Sequence, residues 1–278
     1  MVVDFHTHIF KNDVIESREK YFGDKNYYFL YSGEKARMIN HNMMLDSMND
    51  SGIDFAVAMG FPWYEEKHCD EQNEYFNDVY DLSKGRIIPF GSVPIRNGID
   101  IDRYVKGIKE SGLFGIGEIA FYKEGMNQRN NNILRQIFDS AQRYFLPVCL
   151  HVNEPVGHEY MGKYEPSLKI LYSILLDFPD LTIILAHWGG GLFLYELMPE
   201  VQEAFKNVYY DTAASPFLYS DEIYDIVIRI VGSKKILFGS DYPLIKFKRY
   251  LNSINTCVKD IEDRENIIHK NAKDILNI

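Results

Sequence analysis

A chain of 278 residues and 32.5 kDa, with 46% apolar and 25% charged side chains, has the composition of a globular protein, which excludes fibrous and disordered classes. At this length folding removes roughly three quarters of the unfolded chain's surface from water, so one large core needs no disulfide or structural metal to staple it. The 30 basic and 40 acidic residues leave a net charge of −10, a field that repels nucleic-acid phosphates and anionic lipid.

The chain opens Met1-Val2-Val3-Asp4-Phe5-His6, without the basic and apolar segments of a secretion signal, and no stretch reaches the roughly 20 apolar residues of a membrane span. Its three cysteines, Cys69, Cys149 and Cys257, are odd in number and far apart. The expectation is a cytoplasmic protein with reduced thiols, complete from its first residue and without a membrane partner. Short β-branched or aromatic runs follow at residues 2–9, 55–61, 87–93, 115–120, 147–152, 182–188, 208–214 and 236–242. After the first, they recur about every 30 residues, the length of one βα unit. Between them lie helical stripes: Leu134, Ile137, Phe138, Ala141 and Phe145; then Leu168, Leu171, Tyr172 and Leu175 behind Pro166 at a first turn; then Ile223, Val227 and Ile230 before Gly232 as a stop. Eight such units predict an α/β fold, a single (β/α)8 TIM barrel over residues 1–278. The alternative, a doubly wound open sheet, lacks the G-x-G-x-x-G of a first βα turn. Residues 11–35, rich in Tyr and Phe, are too long for a plain connection and read equally as a lid over the barrel mouth or an insertion packed outside.

Ionisable residues close several of these runs. His6 and His8 lie two apart on the first strand, so both imidazoles project to one side. Glu118, His151, His187 and Asp241 end strands 4, 5, 6 and 8, and the C-terminal strand ends of a barrel share one mouth. One at a time, a hydrogen-bonded core histidine or a turn aspartate explains each better. Together they would be costly to bury without a cation, and one shared divalent metal accounts for them all. His41 and His269 fall on helical segments and His68 in a polar stretch, so all three read as solvated; His158, in the loop after strand 5, is a weaker candidate for the mouth. Arg96 after strand 3 and Lys246, Lys248 and Arg249 after strand 8 are candidates for gripping a substrate anion, although a solvated helix start explains Lys248 and Arg249 better. Trp63, Tyr64 and Trp188 read equally as an aromatic wall or as packed core.

Val3-Asp4-Phe5-His6-Thr7-His8, Leu45 through Met48 to Gly52-Ile53-Asp54, Leu150-His151, Ala186-His187-Trp188-Gly189-Gly190, Gly239-Ser240-Asp241-Tyr242-Pro243 and the late Asn271-Ala272 together resemble the amidohydrolase superfamily. The narrower resemblance is to the amidohydrolase-related branch with aminocarboxymuconate-semialdehyde decarboxylase, resorcylate decarboxylases and dicarboxylate lactonases. It implies a metal held by His6, His8, His151 and Asp241, with His187 as a non-ligand or second-metal histidine. Many superfamily members carry a carboxylated lysine on strand 4. Here Glu118 stands in Gly117-Glu118-Ile119, similar to the metal-dependent deoxyribonuclease branch, and it either completes a one-metal shell or bridges two. Zinc suits the imidazole and carboxylate donors, with one metal favoured over two.

A metal-bound water ionises near neutral pH, so the leading expectation is hydrolysis of an amide, ester or lactone in a small, anionic organic acid. Asp241 would take the water's proton and His187 would polarise the carbonyl. Decarboxylation with the same shell is the alternative, and requires in addition a cation for the substrate carboxylate, for which Arg96 is the candidate. A phosphodiesterase is more remote, and so is a catalytically silent binding barrel, which has no need of six ionisable groups at one mouth. A homodimer is compatible with either enzyme reading.

Overall fold

In the computed structural model, which describes residues 1–164 and 167–278, the expected runs become eight parallel strands: β1 (Val3–His8), β2 (Phe55–Met59), β3 (Ile87–Gly91), β4 (Gly115–Ile119), β5 (Val148–Leu150), β6 (Ile183–Leu185), β7 (Val208–Asp211) and β8 (Ile236–Leu237). They pair in chain order. The segment that continues β8 returns to β1: Phe5 N–H donates to the Phe238 carbonyl at 2.7 Å, Asp241 N–H to that of His6 and His8 N–H to that of Tyr242, both at 2.8 Å. Those bonds join the last strand to the first, and the result is the (β/α)8 barrel rather than the open sheet. The interior is filled by Val3, Phe5, Val57, Ile88, Phe90, Cys149, Ile184 and Leu237, with Phe5 and Phe90 meeting edge to face 5.7 Å apart across β2.

Helices cover the outside. Gln128–Tyr144 buries Leu134, Ile137, Phe138 and Ala141, as their spacing requires, but Phe145 departs from the expected stripe. It is the left-handed C-cap of that helix (φ 55°) and is 87% exposed, while Leu146 takes the core position. Helix Leu168–Asp177 packs Leu171 and Leu175, and Pro166, expected at its first turn, lies outside the described residues. Helix Ile223–Val231 ends at Gly232 (φ 79°) as expected. No helix among the described residues is long and apolar enough to cross a membrane. All three cysteines are free, with Cys69 and Cys149 buried.

Strands β5, β6 and β8 are shorter than their apolar runs because the chain leaves the ladder where it reaches the mouth. His187, Trp188 and Asp241 adopt positive φ (56°, 58° and 60°), which costs of order 1–3 kcal/mol at a residue with a Cβ and has to be held by its surroundings. The holding bonds are His187 N–H to Asp211 Oδ1 at 2.9 Å and Asp241 N–H to the His6 carbonyl. Two glycines of these segments admit no side chain: a Cβ on Gly190 would run into the Asn153 carbonyl, and one on Gly239 would sit 2.8 Å from His6 Cβ.

Residues 11–35 fold as the short helix Asn12–Glu16, a 3-10 turn Arg18–Tyr21 and the helix Lys25–Tyr31. Buried Asp24 ties this insertion to the barrel. It caps the last helix by accepting from Asn26 and Tyr27 N–H, both at 3.0 Å, and accepts from Tyr64 and Glu65 N–H beyond β2, both at 2.8 Å. Tyr27 stacks on Trp63 at 5.1 Å and 14°. The outer part of the insertion packs on the barrel, while its inner edge, Leu30 and Tyr31, reaches the mouth.

Candidate metal centre and active site

Six side chains singled out in the sequence converge at the C-terminal end of the barrel. His6 Nε2 lies 3.2 Å from His8 Nε2, which lies 3.1 Å from Asp241 Oδ1. On the other side Glu118 Oε1 is 3.0 Å from His151 Nδ1, 3.5 Å from His187 Nε2 and 3.7 Å from His6 Nε2. Either triad, His6/His8/Asp241 or Glu118/His151/His187, brings its donor atoms close enough to hold one ion, and Glu118 stands between them.

Asp211, which closes β7, is the functional residue that sequence reasoning missed. Its Oδ2 accepts from His6 Nδ1 at 2.7 Å, and its Oδ1 accepts from the N–H groups of His187 and Ala213 at 2.9 and 3.0 Å. With Nδ1 carrying the proton, His6 turns a lone pair on Nε2 toward the centre, the arrangement that outer carboxylates impose on metal-binding imidazoles. The signal was available: Val208-Tyr209-Tyr210-Asp211 ends an apolar run in an acid, as strands 4 and 8 do.

The electrostatics call for positive charge. Glu118, Asp211 and Asp241 stand together, and in the protein without a cation the histidines supply the balance. Burial disfavours the His6 cation, but Asp211 and Glu118 outweigh it and hold its pKa well above the usual 6.5. Burial likewise opposes a charged His187, and Glu118 prevails, raising it to about 9. Glu118 is held far below the ordinary carboxyl range, because His151 and His6 overcome its burial. Asp241 is half-buried, which opposes its charge, yet its bond to His8 and the charges of His8, His6 and His187 hold it at about 2. A divalent cation would take the place of those protons. The donor set fits one, and His151 Nε2, buried without a hydrogen-bond partner, fits it too.

Above the cluster opens a cavity of about 600 Å³. His8, Glu118, His151, His187 and Asp241 form its floor, and Leu30, Phe61, Met161 and Leu244 supply apolar wall. The cations that reach it are Lys35 and Arg37, from the end of the insertion and just beyond, and neither has a carboxylate partner among the described residues. Arg18 braces this stretch by donating to the Gly33 and Ala36 carbonyls.

Several expected substrate contacts lie elsewhere. Arg96 pairs with Glu65 at 3.1 Å and lies over the Tyr64 ring, away from the cavity. Trp63 and Trp188 are buried core residues whose indole N–H groups are engaged by Gln72 and Ser215, because the first stacks under the insertion and the second turns outward at positive φ. Lys246 lines a neighbouring hollow with Arg18 and Arg37. Lys248 and Arg249 are exposed, as expected. His68 is not solvated: it is half-buried against Tyr21 and Trp63, with ring centroids 4.9 and 5.1 Å away. His41 bonds Tyr75 and is part-buried, as is His269, while His158 is exposed and away from the cavity.

A barrel with imidazoles and carboxylates gathered at its C-terminal mouth has the layout of a metal-dependent active site. The sequence matches the Amidohydrolase family over residues 3–278, and the chain belongs to it. It is 23% identical to the 2-amino-3-carboxymuconate-6-semialdehyde decarboxylase of Dictyostelium discoideum, over 99% of this chain and 91% of that one. It is 25% identical to the 6-methylsalicylic acid decarboxylase of Penicillium expansum, over 50% of this chain and 53% of the relative. A crystal structure of 5-carboxyvanillate decarboxylase from Novosphingobium aromaticivorans, complexed with manganese and 4-hydroxy-3-methoxy-5-nitrobenzoic acid, is similar with a TM-score of 0.77 at 14% identity, covering 100% of this chain and 96% of the other. These relatives overturn the hydrolysis expected from the sequence, since they break a carbon–carbon bond. The physical reason for the error is that the same metal shell serves either reaction, so the shell alone does not select one.

Proposed function

We propose that the protein is a metal-dependent, non-oxidative decarboxylase of a small conjugated carboxylic acid. The observation that carries this reading is the union of the donor cluster with a largely apolar cavity lined also by two cations, Lys35 and Arg37, that have no carboxylate partner among the described residues. The names of the curated relatives support it. We assign His6, His8, His151 and Asp241 as ligands of one divalent transition cation, with Glu118 completing the shell. Zinc suits these donors, and manganese is the ion of the Novosphingobium enzyme. When bound, the cation supplies positive charge for oxygen atoms of the substrate.

The chain's own residues do the rest. Lys35 and Arg37 draw the carboxylate into the mouth, and Leu30, Phe61, Met161 and Leu244 offer an apolar wall to its carbon skeleton. Loss of CO2 breaks one carbon–carbon bond and leaves its electron pair on carbon, which must take up a proton. His187 lines the cavity floor with its Nδ1 turned to the Ala213 carbonyl, and we assign its imidazole as the group that delivers the proton, with Asp241 lining the floor beside it. Residues 11–35 act as the lid of a single-domain barrel, and the free thiols suit a cytoplasmic setting.

The test is incubation of zinc- or manganese-loaded protein with hydroxybenzoates and dienoic acids in ¹⁸O-enriched D2O. CO2 release with one deuterium at the vacated carbon is the expected result. Product that carries solvent ¹⁸O, in the absence of CO2, would refute the reading.

A further inference from the structure

Two phenol groups on the cavity wall have no assigned role. Tyr122 lies four residues beyond Glu118 and is only 7% exposed. Its ring is set by aromatic neighbours, stacking with Phe61 at 6.4 Å and meeting the edge of His151 at 5.7 Å. Tyr31 ends the insertion helix, stacked on Tyr27 at 5.2 Å and packed on Phe10 and Phe61. Both line the cavity beside Glu118, His187 and Asp241. Neither hydroxyl has a hydrogen-bond partner among the described residues; buried Tyr27, Tyr164 and Tyr210 direct theirs to protein acceptors, and Tyr224 and Tyr250, also without one, lie away from the cavity. A phenol held by its ring with its O–H free in a ligand cavity leaves a donor for whatever enters.

The neighbours define what that donor meets. The cation site and Lys35 with Arg37 offer full positive charge, which suits a carboxylate. Two neutral O–H donors suit a hydroxyl, enol or keto oxygen, whose two lone pairs accept two bonds. We propose that Tyr31 and Tyr122 together read an oxygen substituent adjacent to the departing carboxylate and so determine which carboxylic acids bind productively. Burial, with the Glu118 and Asp241 carboxylates nearby, raises both phenols above their ordinary range and keeps them protonated as donors. The inference rests on the decarboxylase reading for the nature of the substrate, and its test does not depend on turnover.

The probes are salicylate, which carries the adjacent oxygen, and benzoate, which lacks it. Binding of each to manganese-loaded wild type, Tyr122→Phe and Tyr31→Phe is measured by calorimetry. Wild type is expected to prefer salicylate, and each variant to lose about 3- to 10-fold in salicylate affinity, the worth of one ordinary hydrogen bond, with benzoate changed by less than about twofold. Phenylalanine keeps the ring contacts, so an equal loss for both probes would make the tyrosines packing residues and overturn the inference. Unchanged salicylate affinity in both variants would overturn it as well, as would a wild type that fails to distinguish the probes or binds neither. Tyr31→Phe, at a partly buried helix end, supplies an arm independent of any folding defect at Tyr122. If no carboxylate yields CO2 while the probe pattern holds, the decarboxylase reading fails and the oxygen-reading role stands. CO2 release without probe discrimination gives the reverse.

Discussion

Substituting Asp211 by Asn tests whether the centre is a metal site organised from outside its ligands. The carboxylate serves three donors: His6 Nδ1–H on Oδ2, and the N–H groups of His187 and Ala213 on Oδ1. An amide of the same size has one oxygen. The two backbone donors cannot change character, so the amide oxygen faces them and its NH2 faces His6 Nδ1. His6 then accepts at Nδ1 and carries its proton on Nε2, the atom that points at His8, Glu118 and Asp241. A protonated Nε2 cannot bind a cation. Loss of such an outer carboxylate typically weakens metal binding 10- to 100-fold, or about 1.4–2.8 kcal/mol. Asp211→Asn should therefore bind zinc or manganese about 10- to 100-fold more weakly in chelator competition while its far-ultraviolet circular dichroism stays that of the wild type. A folded variant with metal affinity within about twofold of wild type would refute the tautomer argument and make Asp211 a brace for the His187 turn alone.

Three further outcomes are expected. His151→Ala removes a buried donor and should abolish stoichiometric metal binding, as read by elemental analysis after reconstitution; retained metal would remove His151 from the shell. His187→Ala should keep the metal while kcat falls by about 10²-fold or more, the range for a lost proton donor; loss of the metal would instead make His187 a ligand. Asp4 is buried, and burial outweighs its bonds from Ser240 and His6 to push its pKa from 3.8 up to about 7. The folded carboxyl thus keeps its proton where the unfolded one has lost it, so the metal-free protein should lose stability as pH rises from about 4 to 7. Asp4→Asn should flatten that slope in denaturant titrations, and an unaltered slope would assign it to other groups.

The barrel was legible because its elements are local. Each strand is a short apolar run, each helix a stripe of period 3.6, and the 30-residue spacing counts the units without reference to long-range contacts. The six convergent donors were legible for a related reason: once β strands share a barrel, the residue that closes each run must reach the same mouth. Asp211 obeys the same rule, and its role toward His6, which it holds by Nδ1, appears only in the folded barrel.

What tertiary structure alone decided depends on which surface a side chain meets. Nothing in the sequence distinguishes Trp63 stacked beneath Tyr27 from Phe61 on the cavity wall two residues earlier; the seat of the insertion, which covers Trp63, chooses between them. Phe145 continues a helical stripe by count, yet the helix has already turned left-handed there and the ring faces solvent. Arg96 was the cation expected at the mouth, and Glu65 and Tyr64 hold it elsewhere. Lys35 and Arg37 stand there instead because Asp24 gathers four backbone N–H groups from two distant segments and fixes the insertion across the barrel end. The local pattern thus determined the barrel and the donors at its strand ends, while the walls and charges of the cavity came from contacts between segments far apart in the chain, which no local pattern encodes.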